Sequence, residues 1–459
     1  MKQLLSEADL LRAPWIRDRL IDGLIEVARY RTDEFNPRFK NNPLVTCLPG
    51  PLSRTEAQEF LAVEPEKRPR GFSLLPLEVR MEFAGEIKHV FVPAVAHIRA
   101  IQRFVQMLRE SYRHRNPLDP EFQQFLWTVV RASSPVIAAR IAGSIGPASG
   151  GVLIGPSGSG KSCTIARGRV YIRQCARIHM EFGGKPCIWP QIPILYVSAA
   201  GRTSPRQLAV AIAAEVDSML PSHFEDMIKK NSDHVLQLSK ILSSNLVGFV
   251  FIDDCQLWSR VDQRLRDGML GLIVGTMETS GVPFMCSGTI LLQDVLQRHR
   301  SQSEKLFAQG TLEIPPVRNG QEIHDICEKM WQRQVTPWQI EMPSWFPLEV
   351  YRRTAGLRRY IAEFLEPLFA QIAEDNLRKI SEKYVRDFAD RELAGIAPGV
   401  EIMHCAYKGQ GVSIELLKKY EEYIDTDKYR LAVLRRNARL AHISERRANK
   451  EIAKRKIAK

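Results

Sequence analysis

A chain of 459 residues, 44% hydrophobic and 25% charged, is longer than one hydrophobic core sustains and is expected to divide into about three domains. That composition excludes wholesale disorder and collagen-like repeats. The formal charge of +13 points to a polyanionic or acidic partner.

At the N-terminus, Glu7 and Asp9 interrupt the first apolar stretch, which therefore does not read as a secretory signal. The spacing of Leu20, Ile21, Leu24, Ile25 and Val27 predicts an amphipathic helix. Pro37, Pro43, Pro49, Pro51, Pro65, Pro69 and Pro76 interrupt the stretch after it, and residues 1–85 are expected to form a separate small module. Val95, Ile98, Ile101, Phe104, Val105 and Leu108 predict a helix over 94–112, stopped by Asn116-Pro117. Residues 141–160 are uncharged and long enough for a bilayer, yet seven Gly, four Ser and two Pro make them loop chemistry, and no membrane partner is expected.

From about 148 to 315, short apolar runs alternate with helical stretches. Strands are expected at Val152–Ile154, Ile194–Val197, Phe249–Ile252, Phe284–Cys286 and Thr311–Ile314, and helices at 161–175, 206–219, 234–244 and 264–279. This alternation implies an α/β fold, a parallel sheet covered on both faces. Two further helices are expected beyond it, one marked by Leu357, Ile361, Phe364, Leu365, Leu368 and Ile372, the other by Ile380, Tyr384 and Phe388.

The end of the chain holds most of the charge. Residues 428–459 carry twelve Lys and Arg against Glu445 and Glu451, a surplus of ten that leaves +3 for the preceding 427 residues. Leu431, Leu434, Ala438 and Ala441 give this tail helical spacing. The eight cysteines include no C-x-x-C pair, which supports neither a zinc ribbon nor a disulfide scaffold and fits reduced thiols in a cytoplasmic protein.

The most informative residues are Gly155-Pro156-Ser157-Gly158-Ser159-Gly160-Lys161-Ser162, a full G-x-x-x-x-G-K-S loop between an apolar strand and a helix. Glycines let the backbone curl so that its N–H groups face phosphate oxygens at a helix N-terminus. Lys161 is then expected at the β- and γ-phosphates of ATP, and Ser162 on Mg²⁺. About 90 residues on, Val250-Phe251-Ile252-Asp253-Asp254 supplies the carboxylates such a site needs: Asp253 for the metal, Asp254 to polarise the attacking water. After the next strand, Thr289 is the favoured γ-phosphate contact, with Ser287 second.

Together these residues resemble an AAA+ ATPase, and more narrowly the TnsC/TniB family of transposon-encoded regulators, over roughly residues 85–395. Val92-Pro93 with His97 and Tyr112-Arg113-His114-Arg115-Asn116-Pro117 is similar to the stretch that closes on the adenine in that family. Gln191 through Val197 with Gly201-Arg202-Thr203-Ser204, the strand end Asp253-Asp254-Cys255-Gln256, Gly281-Val282-Pro283 through Gly288-Thr289, and Thr354-Ala355-Gly356 resemble further family segments. The resemblance implies a partner-interaction module at 1–85, an AAA+ core with a five-stranded parallel sheet at 86–320, a helical lid at 321–395 and a basic helical segment at 396–459.

It also implies residue roles. Cys163, Asn116, Pro117 and Arg358 (or Arg359) would join the phosphate loop around ATP, and Arg300 or Arg298 would reach a neighbour's nucleotide. Arg202, Thr203 and Arg206 would contact the backbone of double-stranded DNA. The family function would be an ATPase that assembles as a homo-oligomeric ring or filament on DNA and links a TniQ/TnsD-like target selector to TnsA/TnsB-like transposase subunits. One departure stands out: Asp254 occupies the usual Glu position, one methylene shorter, which predicts slow hydrolysis. A replication initiator or helicase loader shares the core but should add a helix-turn-helix after the lid. An ATP-binding scaffold with little turnover is the other alternative.

Overall fold

The computed structural model describes residues 23–64, 67–134, 148–297, 304, 306, 308, 310–318, 320–424 and 429–439. Arg298, Arg300, the first 22 residues and residues 440–459 of the basic tail lie outside the described residues. The chain divides into two compact units, one within Met1–Leu61, Val95–Ile154 and Lys161–Glu313, the other within Ala62–Ala94, Gly155–Gly160 and Ile314–Lys459.

The strands are β1 (Ile25–Val27), β2 (Gly151–Ile154), β3 (Ala176–Phe182), β4 (Lys185–Gln191), β5 (Ile194–Ser198), β6 (Phe249–Asp253), β7 (Phe284–Gly288) and β8 (Thr311–Glu313). Five of them form the expected parallel sheet, in the order β5-β6-β7-β2-β8. Every residue of β2, β6 and β7 is buried, which is why these strands read as continuous apolar runs without alternation. The helices of this unit include α1 (Val95–Ser111), α2 (Pro120–Arg131), α3 (Lys161–Ile172), α4 (Pro205–Met219), α5 (His234–Ser244) and α6 (Gln263–Ser280). Phe104 of α1 meets Phe249 edge-on, with ring centroids 4.8 Å apart, and Ile212, Leu242 and Ile273 join Leu195, Val250 and Ile252 in one core.

Two local expectations fail. Ile25–Val27 is a strand pairing parallel with Ala176–Ile178, not part of a helix; β-branched Ile25 and Val27 suit a pleated, half-buried edge. The helix expected over 161–175 ends at Ile172, and the chain turns at Arg173 into the antiparallel pair β3–β4. Pro186 and Pro190 obscured β4, but they sit on an edge strand, where a missing N–H is tolerated. The overlooked signal was Gly183-Gly184, whose φ values of +59° and +76° suit a two-residue hairpin turn.

The three-stranded sheet β1-β3-β4 is tied to the segment that follows β1 by a buried polar cluster. Gln191 Nε2 donates to Leu44 O at 2.9 Å, so its Oε1 accepts from Cys47 Sγ at 2.9 Å and from His179 Nε2 at 3.0 Å. His179 Nδ1 is left to accept from the Tyr30 hydroxyl at 2.9 Å. Burial pushes His179 down to about 4.

The second unit is helical: α7 (Gln321–Trp331), α8 (Phe346–Thr354), α9 (Arg358–Glu374) and α10 (Glu382–Glu392). Trp331 packs edge-on against Phe346 and Phe369, with centroids 4.6 and 5.3 Å away. The described part of the basic segment, 429–439, is helical as expected. It is held by the Tyr429 hydroxyl on Val412 N at 2.9 Å and by Arg436 on Gly409 O.

Because the folded protein holds His179 neutral below its unfolded pKa of about 6.5, its contribution to stability is complete above that pH and is lost as pH falls toward about 4. Urea unfolding between pH 7.5 and 4.5 should therefore show a smaller pH slope in His179→Gln than in wild type.

Candidate nucleotide-binding site

The glycine-rich turn comes directly after β2 and ends where α3 begins at Lys161. Gly158 and Gly160 have φ values of +77° and +99°, a region that glycine alone enters cheaply. Gly158 O accepts from Arg359 N at 3.2 Å, and a Cβ on Gly158 would stand 2.8 Å from Arg359 Cβ. Lys161 and Cys163 are half-buried and Ser162 is exposed in the first turn of α3, which contains no acidic residue to oppose an anion.

The two arginines expected beside the nucleotide divide their work. Arg358 is 11% exposed: it bonds to Val92 O, lies over the Phe91 ring and stands 3.5 Å from Glu322. Arg359 lies against Gly158 through its backbone, while its guanidinium, 66% exposed, pairs with Glu363 at 2.7 Å. Position alone therefore favours Arg359 over Arg358 as the arginine beside the loop.

Along the C-terminal edge of the sheet, β7 alone separates β2 from β6. Asp253, 5% exposed at the end of β6, is fully engaged. Oδ1 accepts from Ser287 Oγ on β7 and from Asp254 N at 2.9 Å; Oδ2 accepts from the Tyr196 hydroxyl on β5 at 2.8 Å. Burial, reinforced by the adjacent Asp253 carboxylate, pushes the Tyr196 phenol well above its ordinary range. The Arg169 guanidinium of α3 caps the Tyr196 ring at 4.2 Å and bonds Gln174, which reaches Glu215 at 3.1 Å. Sequence reasoning assigned no role to Tyr196; the one signal was a phenol within the apolar run Ile194–Val197.

Asp254 leaves the strand with φ +60° and ψ 28°, a left-handed conformation that Asp tolerates better than most residues. Its Oδ1 accepts from Gln256 Nε2 at 3.1 Å. Ser287 is committed to Asp253, whereas the Thr289 hydroxyl is buried without a partner, in a residue 4% exposed. A buried orphan hydroxyl, on a residue whose backbone N–H bonds the same Gln256 amide that reaches Asp254, fits a ligand oxygen.

Among the other expected contacts, Asn116 sits between α1 and α2, its Nδ2 on Asn41 O at 3.1 Å and its Oδ1 on Leu118 N, with Pro117 beside it in the same turn. In the same stretch the Tyr112 hydroxyl bonds Leu246 O at 2.7 Å, and the buried Arg115 guanidinium bonds Val247 O and Gly248 O, burial pulling it down to about 10. These two residues pin the entry to β6. Arg202, Thr203 and Arg206 come together on the turn after β5 and the start of α4. Thr203 bonds Gln207, and Arg202 and Arg206 reach Ala200 O and Lys229 O.

No model of a known protein family matches the chain, and no curated protein matches it in sequence. Among solved structures, Orc1 of Aeropyrum pernix in complex with DNA is similar at 16% identity and a TM-score of 0.37, over 62% of this chain and 73% of that one. The Walker-type ATPase of Pyrococcus abyssi gives 14% and 0.35, over 60% and 74%. The RuvB Holliday junction branch migration motor of Thermotoga maritima gives 13% and 0.32, over 67% and 91%. Among the described residues, no helix is long and apolar enough to cross a membrane.

Donors that orient a metal-binding carboxylate typically contribute about tenfold or more in metal affinity. If Asp253 holds Mg²⁺ as the sequence implies, Tyr196→Phe should weaken Mg²⁺ affinity, read by Mg²⁺-dependent fluorescent-ATP binding, about tenfold, with metal-free binding unchanged.

Proposed function

We propose that this chain is an ATP-dependent AAA+ regulator of DNA transposition that oligomerises on double-stranded DNA and couples a target selector to transposase subunits. The observation that carries the nucleotide part is the row of groups along one sheet edge. It runs from Lys161 and Ser162 at the start of α3, past the orphan hydroxyl of Thr289 just after β7, to the partnered Asp253 at the end of β6. The transposition part rests on the resemblance of the segments around that edge.

Lys161 would meet the β- and γ-phosphates, and Ser162 and Asp253 would hold Mg²⁺, which when bound neutralises phosphate charge. Backbone N–H groups of the Gly155–Gly160 turn would receive the phosphate oxygens. Asp254 would accept a proton as a water oxygen bonds to the γ-phosphorus and the bond to the bridging oxygen breaks, releasing ADP and phosphate. Thr289 would donate to the γ-phosphate, and Arg300 or Arg298 would complete a neighbour's site. The exposed turn with Arg202, Thr203 and Arg206 would contact DNA phosphates, hence with little sequence preference.

A second reading, an ATP-bound scaffold that turns over slowly, is favoured by one feature: the shorter Asp254 side chain starts from a left-handed backbone. Steady-state ATPase with and without duplex DNA separates the two.

Lys161→Ala should abolish ATP-dependent DNA binding, read by electrophoretic mobility shift; undiminished binding would break the link between nucleotide and DNA. Removing residues 440–459, which spares the packed helix 429–439, should leave ATP affinity unchanged. It should weaken DNA binding and flatten the salt dependence, because fewer counterions are released.

A further inference from the structure

The chain leaves β6 through the left-handed Asp254, and the short 3-10 helical segment Cys255–Arg260 brings Gln256 back to Asp254 and Thr289. Gln256 makes two bonds there. Its Oε1 accepts from Thr289 N at 3.2 Å, and its Nε2 donates to Asp254 Oδ1 at 3.1 Å. Chemistry fixes the orientation of this amide at both ends, since a backbone N–H only donates and a carboxylate only accepts. Room for it comes from Gly288: a Cβ there would stand 2.7 Å from Gln256 Oε1 and 3.1 Å from Gln256 N.

We infer that Gln256 is a positioning residue for hydrolysis, one amide that fixes the Asp254 carboxylate and the Thr289 backbone in a single geometry. It rests on the ATPase reading and extends it to a residue that touches neither phosphate nor water. Asp254 needs such a partner more than a glutamate on an ordinary backbone would. Its carboxylate is one methylene shorter, its backbone is left-handed, and rotation about χ1 and χ2 would otherwise scatter its oxygens. An amide N–H on Oδ1 selects one rotamer and leaves Oδ2 to take the proton of the attacking water. The same amide holds the backbone that carries the orphan Thr289 hydroxyl, so acid and phosphate donor keep a fixed spacing.

Three variants test this. Gln256→Leu should lower kcat for ATP hydrolysis tenfold or more while KM changes less than twofold. Gln256→Glu keeps an acceptor for Thr289 N but sets a second carboxylate against Asp254. In nucleotide-free protein it should melt below wild type at pH 7.5, because two like charges then face each other. The double variant Asp254→Asn with Gln256→Glu exchanges amide and carboxylate across the same bond; it should regain the wild-type melting temperature and remain unable to hydrolyse ATP. Wild-type kcat in Gln256→Leu, or equal melting of Gln256→Glu and wild type at pH 7.5, would overturn the proposal. Absence of hydrolysis by wild type with and without DNA would instead reject the ATPase reading, and the positioning role with it, whatever the melting series gives.

Discussion

A carboxylate buried at the end of β6 organises the rest of the edge. An ionised group taken out of water is costly unless its oxygens are bonded, and Asp253 meets that demand from three directions: Tyr196 on β5, Ser287 on β7 and the next amide of its own chain. Those bonds cross-link the C-terminal ends of three adjacent strands, consistent with the register that sets Ser198 beside Asp253 and Cys286 beside Ile252. A one-residue slip would turn Asp253 to the opposite face and leave both hydroxyls and the charge unpaired. The support continues outward through Arg169 on the Tyr196 ring, which links the helix opened by Lys161 to the strand that positions the carboxylate.

Much of this was legible in the sequence because the physics is local. The buried strands β2, β6 and β7 announce themselves as apolar runs, and two glycines of the G-x-x-x-x-G-K-S turn, Gly158 and Gly160, prove to have positive φ. Other features depend on partners distant in sequence. The β3–β4 hairpin was hidden by two prolines that only an edge position allows, and β1 looked helical because a three-residue strand is too short to display a period. Nothing local distinguishes Ser287 from Thr289; the difference is that Asp253 claims one hydroxyl and not the other. Arg358 and Arg359 are likewise neighbours with different partners. Tyr112 and Arg115, in a stretch matched by resemblance to an adenine-closing segment, have donors committed to the carbonyls of residues 246–248.

Charge and fold divide the proposed labour. The phosphate-facing chemistry sits on a rigid, buried sheet edge, where preorganised groups act without rearrangement. The excess positive charge is concentrated after residue 427, where a proposed polyanion contact would need field strength more than exact placement. Nucleotide-dependent assembly would bring many such tails to one duplex, and multivalency would then raise avidity without any new contact.

The central claim is that a triphosphate held by the glycine-rich turn joins one protomer to the next on DNA. Analytical ultracentrifugation of the purified protein with duplex DNA, in the presence and absence of a non-hydrolysable ATP analogue, tests it most directly. The account predicts large, DNA-bound assemblies with the analogue and slowly sedimenting protein without it. Sedimentation as a monomer under both conditions, with no nucleotide retained, would contradict it.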